Sequence, residues 1–327
     1  MIGGHGIFFG LLILWLGTLI GAVESNSLLA WSSGLLYICY DTWLIAYIAW
    51  KTRHITAELY STSHANPPLS IGVIITARNE VDVIVTTIEN LLAQTDPPEQ
   101  ILVVNDGSSD QTAHLLQSKF GLAADQGIQI STQYPLLSVL HKAHSGKADS
   151  LNKACALLQT DVIITVDADT WLAANAVAAM RSAFEREPQL VAACGVLTPR
   201  CSRSWHGRIF AWFQTYEYIR AFLSRAAWMQ ANALLLVSGA FAAYRRDVLL
   251  SIGGYDCNSL VEDYELIHRL HRYAANHGLD WRVRVLPNAV AETDAPATVR
   301  TFLHQRRRWF AGFLKTQFQY RAMHGDA

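Results

Sequence analysis

The sequence predicts an α/β fold with a mostly parallel central sheet, and two observations carry that prediction. Mostly apolar runs recur over residues 69–76, 101–104 and 162–166. Strands that are buried on both faces of a parallel sheet have this composition. A helical pattern over 81–94 separates the first two runs, and such alternation of strand and helix is typical of parallel sheets with right-handed crossovers.

The overall composition narrows the class of protein. Of the 327 residues, 16% are charged and 51% hydrophobic, whereas soluble proteins usually carry about 25% charged residues. The formal net charge of -1 argues against a nucleic-acid partner, since proteins that bind nucleic acid are basic. The five cysteines are odd in number and form no C-x-x-C pair, which argues against a disulfide framework or a zinc site.

Apolar residues are concentrated at the start of the chain. Residues 7–23 carry no charge, and residues 28–50 carry only Asp41. Each run is long enough to cross a bilayer, which requires about 20 apolar residues. The sequence therefore predicts two transmembrane helices joined as a hairpin.

The charges behind this hairpin predict its orientation. Lys51 and Arg53 follow the second run, and the positive-inside rule places that end in the cytoplasm. We thus expect a multi-pass protein of the inner or plasma membrane, with two transmembrane helices over 1–54, a polar linker over 55–68, and a cytoplasmic catalytic domain behind it.

Two carboxylates follow the third apolar run. Asp167 and Asp169 are one residue apart, so on an extended chain they share one face where the strand leaves the sheet. Ligands bind at this edge in open α/β sheets, and hard oxygen ligands suit Mg²⁺ or Mn²⁺. The alternative is a loop with two solvated aspartates.

Polar residues also follow the other two runs. The first is followed by Ala77, Arg78, Asn79 and Glu80, and the second by Asp106. Because parallel strands end at one edge, these residues are candidates for the same site, although Asp106 could instead cap a helix. Gly146 and Lys147 precede a further helix and resemble part of a phosphate loop, the alternative being a solvated lysine.

Seven motifs occur in a characteristic order: ARNE (77–80), VNDGSSD (104–110), GKADSLNKA (146–154), VDADT (166–170), SGAFAAYRR (238–246), VEDYEL (261–266) and QRRRW (305–309). This order resembles the inverting family 2 glycosyltransferases of the membrane-embedded, cellulose synthase-like type. That clan includes hyaluronan, chitin and poly-N-acetylglucosamine synthases and ceramide glucosyltransferase. Its D, D-x-D, D, Q-x-x-R-W pattern matches Asp106, Asp167, Asp169, Asp263, Gln305, Arg308 and Trp309.

The resemblance implies a GT-A nucleotide-sugar-binding domain over 69–300, and a QxxRW segment with a C-terminal interface helix over 301–327. It further implies metal-dependent transfer of a sugar from a UDP-sugar to a growing β-linked polysaccharide at the cytoplasmic membrane face. An amphipathic interface helix is expected over 205–236, with a plain core helix as the alternative.

The resemblance also assigns roles to residues. On the donor side it implies that the nucleotide-sugar is bound by Ala77, Arg78, Asn79, Glu80, Asp106, Lys147, Asp167, Gln305 and Arg308. Asp169 would coordinate the Mg²⁺ or Mn²⁺ ion, and Arg306 and Arg307 are expected to be surface or membrane charges.

On the acceptor side the resemblance makes Asp263 the catalytic base. Ser238, Gly239 and Trp309 would contact the acceptor. On composition alone, the acidic residues 262–265 could simply be the first turn of a helix, stabilised by its dipole.

Two other functions remain open. Residues 312–327 contain no apolar run of about 20 residues, so a polysaccharide channel would need further membrane subunits or a C-terminal transmembrane region. One alternative is therefore transfer of a single sugar to a membrane lipid acceptor. The other is a non-catalytic assembly subunit. The motifs do not specify the donor sugar or the linkage.

Overall fold

The computed structural model describes residues 20, 28–53, 68–125, 127–202 and 205–321, without the side chains of 28–38 and of His206. The chain divides into two compact units, Met1–Ile55 and Thr56–Ala327. In the first unit, helix α1 spans Leu28–Thr52.

The predicted transmembrane hairpin is not supported. Nowhere in the described parts of the chain is a helix both long and apolar enough to cross a membrane. Helix α1 coincides with the second predicted span, but Ser32, Ser33 and Asp41 interrupt its apolar residues. The first predicted span, 7–23, lies outside the described residues.

The second unit is an α/β domain built on one sheet. Its strands are β1 Ile71–Ala77, β2 Gln100–Asp106, β3 Leu122–Asp125, β4 Ile128–Ser131, β5 Leu137–Lys142, β6 Val162–Asp167, β7 Thr170–Leu172, β8 Leu190–Arg200, β9 Phe241–Arg245 and β10 Arg282–Asp294. Its helices are α2 Ile84–Leu92, α3 Thr112–Phe120, α4 Lys147–Leu157, α5 Ala176–Arg186, α6 Trp205–Gln230, α7 Arg246–Ser251, α8 Glu262–His277 and α9 Val299–Gln319.

The sheet is mixed rather than mostly parallel, which corrects the sequence prediction. Within the described residues it has the strand order β3-β4-β5-β2-β1-β6-β9-β8-β10-β7. Strands β5, β2, β1 and β6 are parallel to one another, as are β8 and β10, whereas the other pairings are antiparallel. The three apolar runs belong to the parallel part, and for this reason the sequence pattern could not reveal the antiparallel half.

Both faces of the sheet are covered by apolar side chains. Along β1, Ile71, Val73 and Ile75 pack against the layer that contains α2, α3 and α5. Ile74 points to the opposite layer, which contains α4, α7 and α8. Burying one such side chain contributes roughly 1.5–3 kcal/mol, so this double burial fixes the strand in the centre of the domain.

The pairing of the parallel strands aligns their carboxyl ends. Thr76 of β1 pairs with Asp167 of β6, and Asp106 of β2 pairs with Lys142 of β5. The polar residues that follow these strands therefore meet at one edge of the sheet, which is where ligands bind in open α/β folds.

Candidate active site

A cavity of about 470 Å³ opens at the carboxyl edge of β6 and is closed by α6, α8 and α9. Nine of the predicted site residues line it: Lys147, Asp167, Asp169, Ser238, Gly239, Asp263, Gln305, Arg308 and Trp309. The other five are not in its lining: Ala77, Arg78, Asn79, Glu80 and Asp106. The fold thus brings the predicted base, metal and acceptor residues together from four separate motifs.

Asp263 lies in the first turn of α8, in the wall of the cavity. Its Oδ2 accepts a hydrogen bond from the Gly239 N–H at 2.7 Å, and its Oδ1 accepts one from the Tyr264 N–H at 2.8 Å. A Cβ atom on Gly239 would lie only 2.9 Å from Asp263 Oδ2, so glycine allows this close approach. Burial, and then repulsion by the neighbouring Glu262, raise the pKa of Asp263. A carboxylate in this setting is a stronger base than an exposed aspartate.

Lys147 is the first residue of α4 and follows Gly146, whose φ of 101° is in the left-handed region. Its Nζ lies 2.5 Å from Asp167 Oδ1 and 3.7 Å from Glu262 Oε1. Burial alone would lower the pKa of this ammonium group, but Asp167 and Glu262 outweigh that effect and hold the pKa above its ordinary value. Lys147 is therefore a fixed positive charge between the end of β6 and the start of α8.

The part of the cavity around Asp169 is acidic. Burial and repulsion by Asp167 and Asp294 raise the pKa of Asp169 to about 6. Burial, followed by repulsion from Asp169 and Asp167, also raises the pKa of Glu80 to about 7. Asp294 was not among the predicted site residues, although it ends β10 and its N–H donates to the Asp169 carbonyl oxygen at 3.1 Å. The strand-end argument did not reach Asp294, because β10 is not an apolar run and was not predicted as a strand.

These carboxylates fit a divalent cation that is bound together with a phosphate-bearing ligand. Within the described ranges, no group of three or more His, Cys, Asp or Glu side chains could hold a metal ion by itself. Mg²⁺ typically takes only one or two protein carboxylates and completes its shell with waters and substrate phosphates. The mutual repulsion around Asp169 would be relieved by such an ion, so the donor set matches that kind of site.

Asp106 accepts hydrogen bonds through both of its carboxylate oxygens. Its Oδ1 accepts from Lys142 Nζ and from the Ser145 N–H at 2.9 Å. Its Oδ2 accepts from the Gly146 N–H at 3.0 Å and lies 2.8 Å from His144 Nδ1. Burial would raise the pKa of Asp106, but these donors outweigh it and hold the pKa well below the ordinary value. Asp106 therefore anchors the segment that leads to Lys147, rather than capping the helix after β2.

Residues 77–80 form a loop that is tied to the loop after β2. Asn79 has a φ of 59°, its N–H donates to Ser108 Oγ at 3.0 Å, and its Oδ1 accepts from the Ser109 N–H at 2.8 Å. The Glu80 N–H donates to Thr112 Oγ1 at 3.0 Å. The two strand-end loops are thus one connected platform, adjacent to the acidic part of the cavity through Glu80.

Helix α9 contributes Gln305, Arg308 and Trp309 to the cavity. The expectation that Arg306 is a surface or membrane charge is wrong. Its guanidinium lies 2.6 Å from Glu217 Oε2 on α6 and 4.2 Å from the centre of the Trp309 ring. Arg306 therefore links α9 to α6 and holds the indole in place by an ion pair and a cation–π contact.

Helix α6 supplies further lining residues, among them Glu217, Arg220 and Arg225. In the sequence these charges only interrupt an apolar helix, and no local pattern distinguishes a charge that faces a cavity from one that faces solvent. Their role depends on tertiary packing, which the sequence pattern does not reveal.

Comparison with solved structures identifies the fold. The domain is similar to a mannosyltransferase from Pyrobaculum calidifontis, solved with GDP-Man and Mn²⁺, with a TM-score of 0.66 and 18% identity over 90% of this chain and 75% of that one. It is also similar to GalNAc-T7, solved with UDP, GalNAc and Mn²⁺, with a TM-score of 0.50 and 12% identity over 73% of this chain and 48% of that one. The domain has a GT-A-like fold.

The family follows from the sequence. The model for glycosyl transferase family 2 matches residues 72–253, which is more than half of the chain, and the chain belongs to that family. It is a glycosyltransferase. Poly-β-1,6-N-acetyl-D-glucosamine synthase of Staphylococcus epidermidis is 26% identical over 270 residues, or 82% of this chain, and that of Staphylococcus aureus is 27% identical over 275 residues, or 83%. The chain spans 60–61% of the length of these relatives.

Proposed function

We propose that this protein is an inverting glycosyltransferase that moves a sugar from a UDP-sugar to a growing β-linked polysaccharide at the cytoplasmic face of the membrane. The observation that carries the proposal is the position of Asp263. A carboxylate with a raised pKa lines the same cavity as Asp167, Asp169 and the Gln305–Trp309 segment. The similarity to the synthases of poly-β-1,6-N-acetyl-D-glucosamine supports a polysaccharide as the acceptor.

The proposed reaction is a single displacement. Asp263 takes the proton from an acceptor hydroxyl while that oxygen forms a bond to the anomeric carbon of the donor sugar. The bond from this carbon to the diphosphate oxygen breaks on the opposite face, and its electron pair leaves with the nucleoside diphosphate. Attack opposite the leaving group inverts the configuration, so an α-linked donor gives a β-linked product.

The leaving diphosphate would be bound by Lys147 and Arg308. Arg308 suits phosphate because its planar guanidinium can donate two parallel hydrogen bonds, and in the described residues it forms no ion pair with a carboxylate. Asp169 would hold a Mg²⁺ or Mn²⁺ ion, whose chemistry when bound is to offset the charge that develops on the diphosphate. The acceptor sugar would lie between the Ser238–Gly239 segment and the face of Trp309.

The position at the membrane is supported by an exposed apolar surface on α6. One side of this helix lines the cavity through Tyr218, Phe222 and Arg225. Its outward side presents large apolar side chains that are 36–66% exposed: Trp205, Ile209, Trp212, Phe213, Tyr216, Ile219 and Leu223. An exposed apolar helix face of this kind can bind in the plane of a membrane surface. The same surface leaves a lipid acceptor as a second candidate.

The proposal is tested by measuring UDP release from a panel of UDP-sugars, with Mg²⁺, with Mn²⁺ and with EDTA, in the presence of lipid vesicles. We expect turnover with one preferred donor and loss of at least about tenfold in EDTA, since metal offset of leaving-group charge supplies several kcal/mol. The products separate the acceptors, because a polysaccharide gives a ladder of lengths and a lipid acceptor gives one glycolipid. Absence of turnover with every donor, by folded protein that still binds UDP, would support the non-catalytic assembly subunit instead.

A further inference from the structure

Glu262 lies directly beside the proposed base, and the reaction described above does not use it. It is the first residue of α8, lines the cavity, and has a side chain that is 13% exposed. Glu265, the other acidic neighbour, is instead buried against Arg269 and the Tyr320 hydroxyl, so it belongs to the packing of α8 and α9. Glu262 is therefore the carboxylate that acts on Asp263 from within the cavity.

The partner of Glu262 is Lys147, which is shared between two halves of the site. Its Nζ is 2.5 Å from Asp167 Oδ1 at the end of β6 and 3.7 Å from Glu262 Oε1 at the start of α8. The end of β6 belongs to the donor side of the site, and the start of α8 carries the base. A single ammonium group thus connects the charge on the donor side to the charge beside the base.

Several other groups face Asp263, and they differ in charge. Glu262 from α8 disfavours its ionised form, whereas Lys147 from α4 and the N–H groups of Gly239 and Tyr264 favour it. Tyr244 of β9 and Cys194 of β8 also lie near, but burial raises the pKa of both, so they are neutral at physiological pH. Glu262 and Lys147 are therefore the two charges that balance one another at the base.

We propose that Glu262 is a positioning residue of the transfer reaction: it shares Lys147 with Asp167 across the two halves of the cavity, so that a nucleoside diphosphate arriving at Lys147 changes the balance of charge around Asp263. This inference rests on the proposed function. The negative diphosphate beside Lys147 offsets the attraction of the ammonium for Asp263. The Asp263 carboxylate then binds a proton more tightly, and the base is strongest when the donor is present.

The test compares the pH dependence of turnover in four proteins: wild type, Glu262→Gln, Glu262→Asp and Asp280→Asn. The last variant is a matched control that removes an exposed carboxylate, paired with Arg282, from outside the cavity. We expect Glu262→Gln to move the acidic limb of the rate profile about one pH unit lower and to reduce the plateau rate, because a repelling charge next to Asp263 is lost. In Glu262→Asp and Asp280→Asn, the acidic limb of the rate profile should lie at the same pH as in the wild type.

Binding of UDP distinguishes this role from a purely structural one. Glu262→Gln removes a carboxylate that competes for Lys147, so the Kd for UDP with Mg²⁺ should be unchanged or lower than in the wild type. An acidic limb that coincides with the wild-type limb would overturn the inference. So would a Kd for UDP that rises together with the loss of turnover, since that pattern indicates a disrupted fold.

A direct titration keeps the inference separate from the proposed function. The Asp263 carboxyl resonance can be followed by ¹³C NMR against pH, with and without UDP and Mg²⁺. We expect its midpoint to rise when UDP binds and to fall in Glu262→Gln. If wild type shows this response but no turnover, the charge coupling of Glu262, Lys147 and Asp263 is confirmed and the proposed function fails. If the midpoint does not respond to either change, the inference is wrong whatever the turnover.

Discussion

Two aspartates of this domain, Asp106 and Asp263, are both largely removed from solvent, yet their surroundings shift their pKa values in opposite directions. Both oxygens of Asp106 are occupied by donors from Lys142, Ser145 and Gly146, and the pKa of Asp106 is held well below its ordinary value. Asp263 receives two backbone N–H groups but also faces Glu262, and its pKa is raised. Several donors on both oxygens favour the ionised form of a carboxylate and lower its pKa, whereas burial beside a like charge raises the pKa and makes the carboxylate a stronger base.

The largest expected difference between the two aspartates is in turnover, and it is expected for Asp263→Asn. The asparagine oxygen can still accept the Gly239 N–H, so the local geometry is kept while the proton acceptor is lost. We expect turnover to fall by about 10²–10⁴-fold, the usual contribution of a general base. UDP release measures the rate, and calorimetric titration with UDP should give an unchanged Kd.

Turnover of Asp263→Asn within tenfold of the wild type would contradict the assignment of the base. A matched substitution at the other aspartate, Asp106→Asn, should instead raise the Kd for UDP, since Asp106 anchors the segment that leads to Lys147.

The second expected effect is on stability and concerns Asp106→Ala. This change leaves the Lys142 ammonium, whose side chain is 8% exposed, without its closest carboxylate. We expect the free energy of unfolding to fall by about 3 kcal/mol, as when one partner is removed from a buried ion pair. Urea unfolding followed by circular dichroism measures this change.

Asp149→Ala is the matched control for that experiment. Asp149 also contacts Lys142, at 3.2 Å, but its side chain is 28% exposed. Its removal should cost about 0–1 kcal/mol, because solvent screens exposed pairs. If the two alanine variants lose equal stability, the structural role of Asp106 is wrong.

The smallest expected effect is a difference between the pH dependence of the rate, which Asp263 sets, and that of the stability that Asp106 contributes. The pKa of Asp263 is raised, so the fraction of ionised base, and with it the rate, should increase with pH through a limb that lies above about pH 4, the ordinary value for aspartate. Below this limb the rate should fall about tenfold per pH unit. Initial rates of UDP release between pH 4 and 9 measure it.

The stability that Asp106 contributes should be lost at a lower pH than the rate that depends on Asp263. Its folded pKa is depressed, so the contribution is fully present above the unfolded value of about 4 and is lost as the pH falls through the folded value. The difference in unfolding free energy between wild type and Asp106→Asn should therefore shrink only in acid. A difference that shrinks at neutral pH would contradict this account.

Strands β1, β2 and β6 could be predicted from the sequence because they are mostly apolar runs. The observed β1, Ile71–Ala77, and β6, Val162–Asp167, differ from the predicted runs by only one or two residues at their ends. Strand β10 could not be found in this way. It spans Arg282–Asp294, contains a proline and alternating charges, and its pairing with β8 shifts between Leu286 and Val290. Only its tertiary partners define it as a strand.

The residues of the candidate site could also be predicted only where a local sequence pattern marks them. The D-x-D, VEDYEL and QRRRW motifs lead to residues that do line one cavity, because strand and helix ends have recognisable sequence signals. The environment of Asp106 could not be predicted, since Lys142 and His144 come from β5 and the loop after it, which were not predicted. Asp294 and Arg306 were missed or misassigned because their contacts, with Asp169 and Glu217, join distant parts of the chain.

The central claim is that Asp263 serves as the base of a single displacement, and the configuration of the product tests it most directly. Wild-type protein is supplied with its preferred α-linked UDP-sugar and Mg²⁺, and the anomeric proton of the new linkage is observed by ¹H NMR. The account predicts a β-linkage that forms at least about 10²-fold more slowly with Asp263→Asn. An α-linked product, or a β-linked product formed equally fast by that variant, would contradict it.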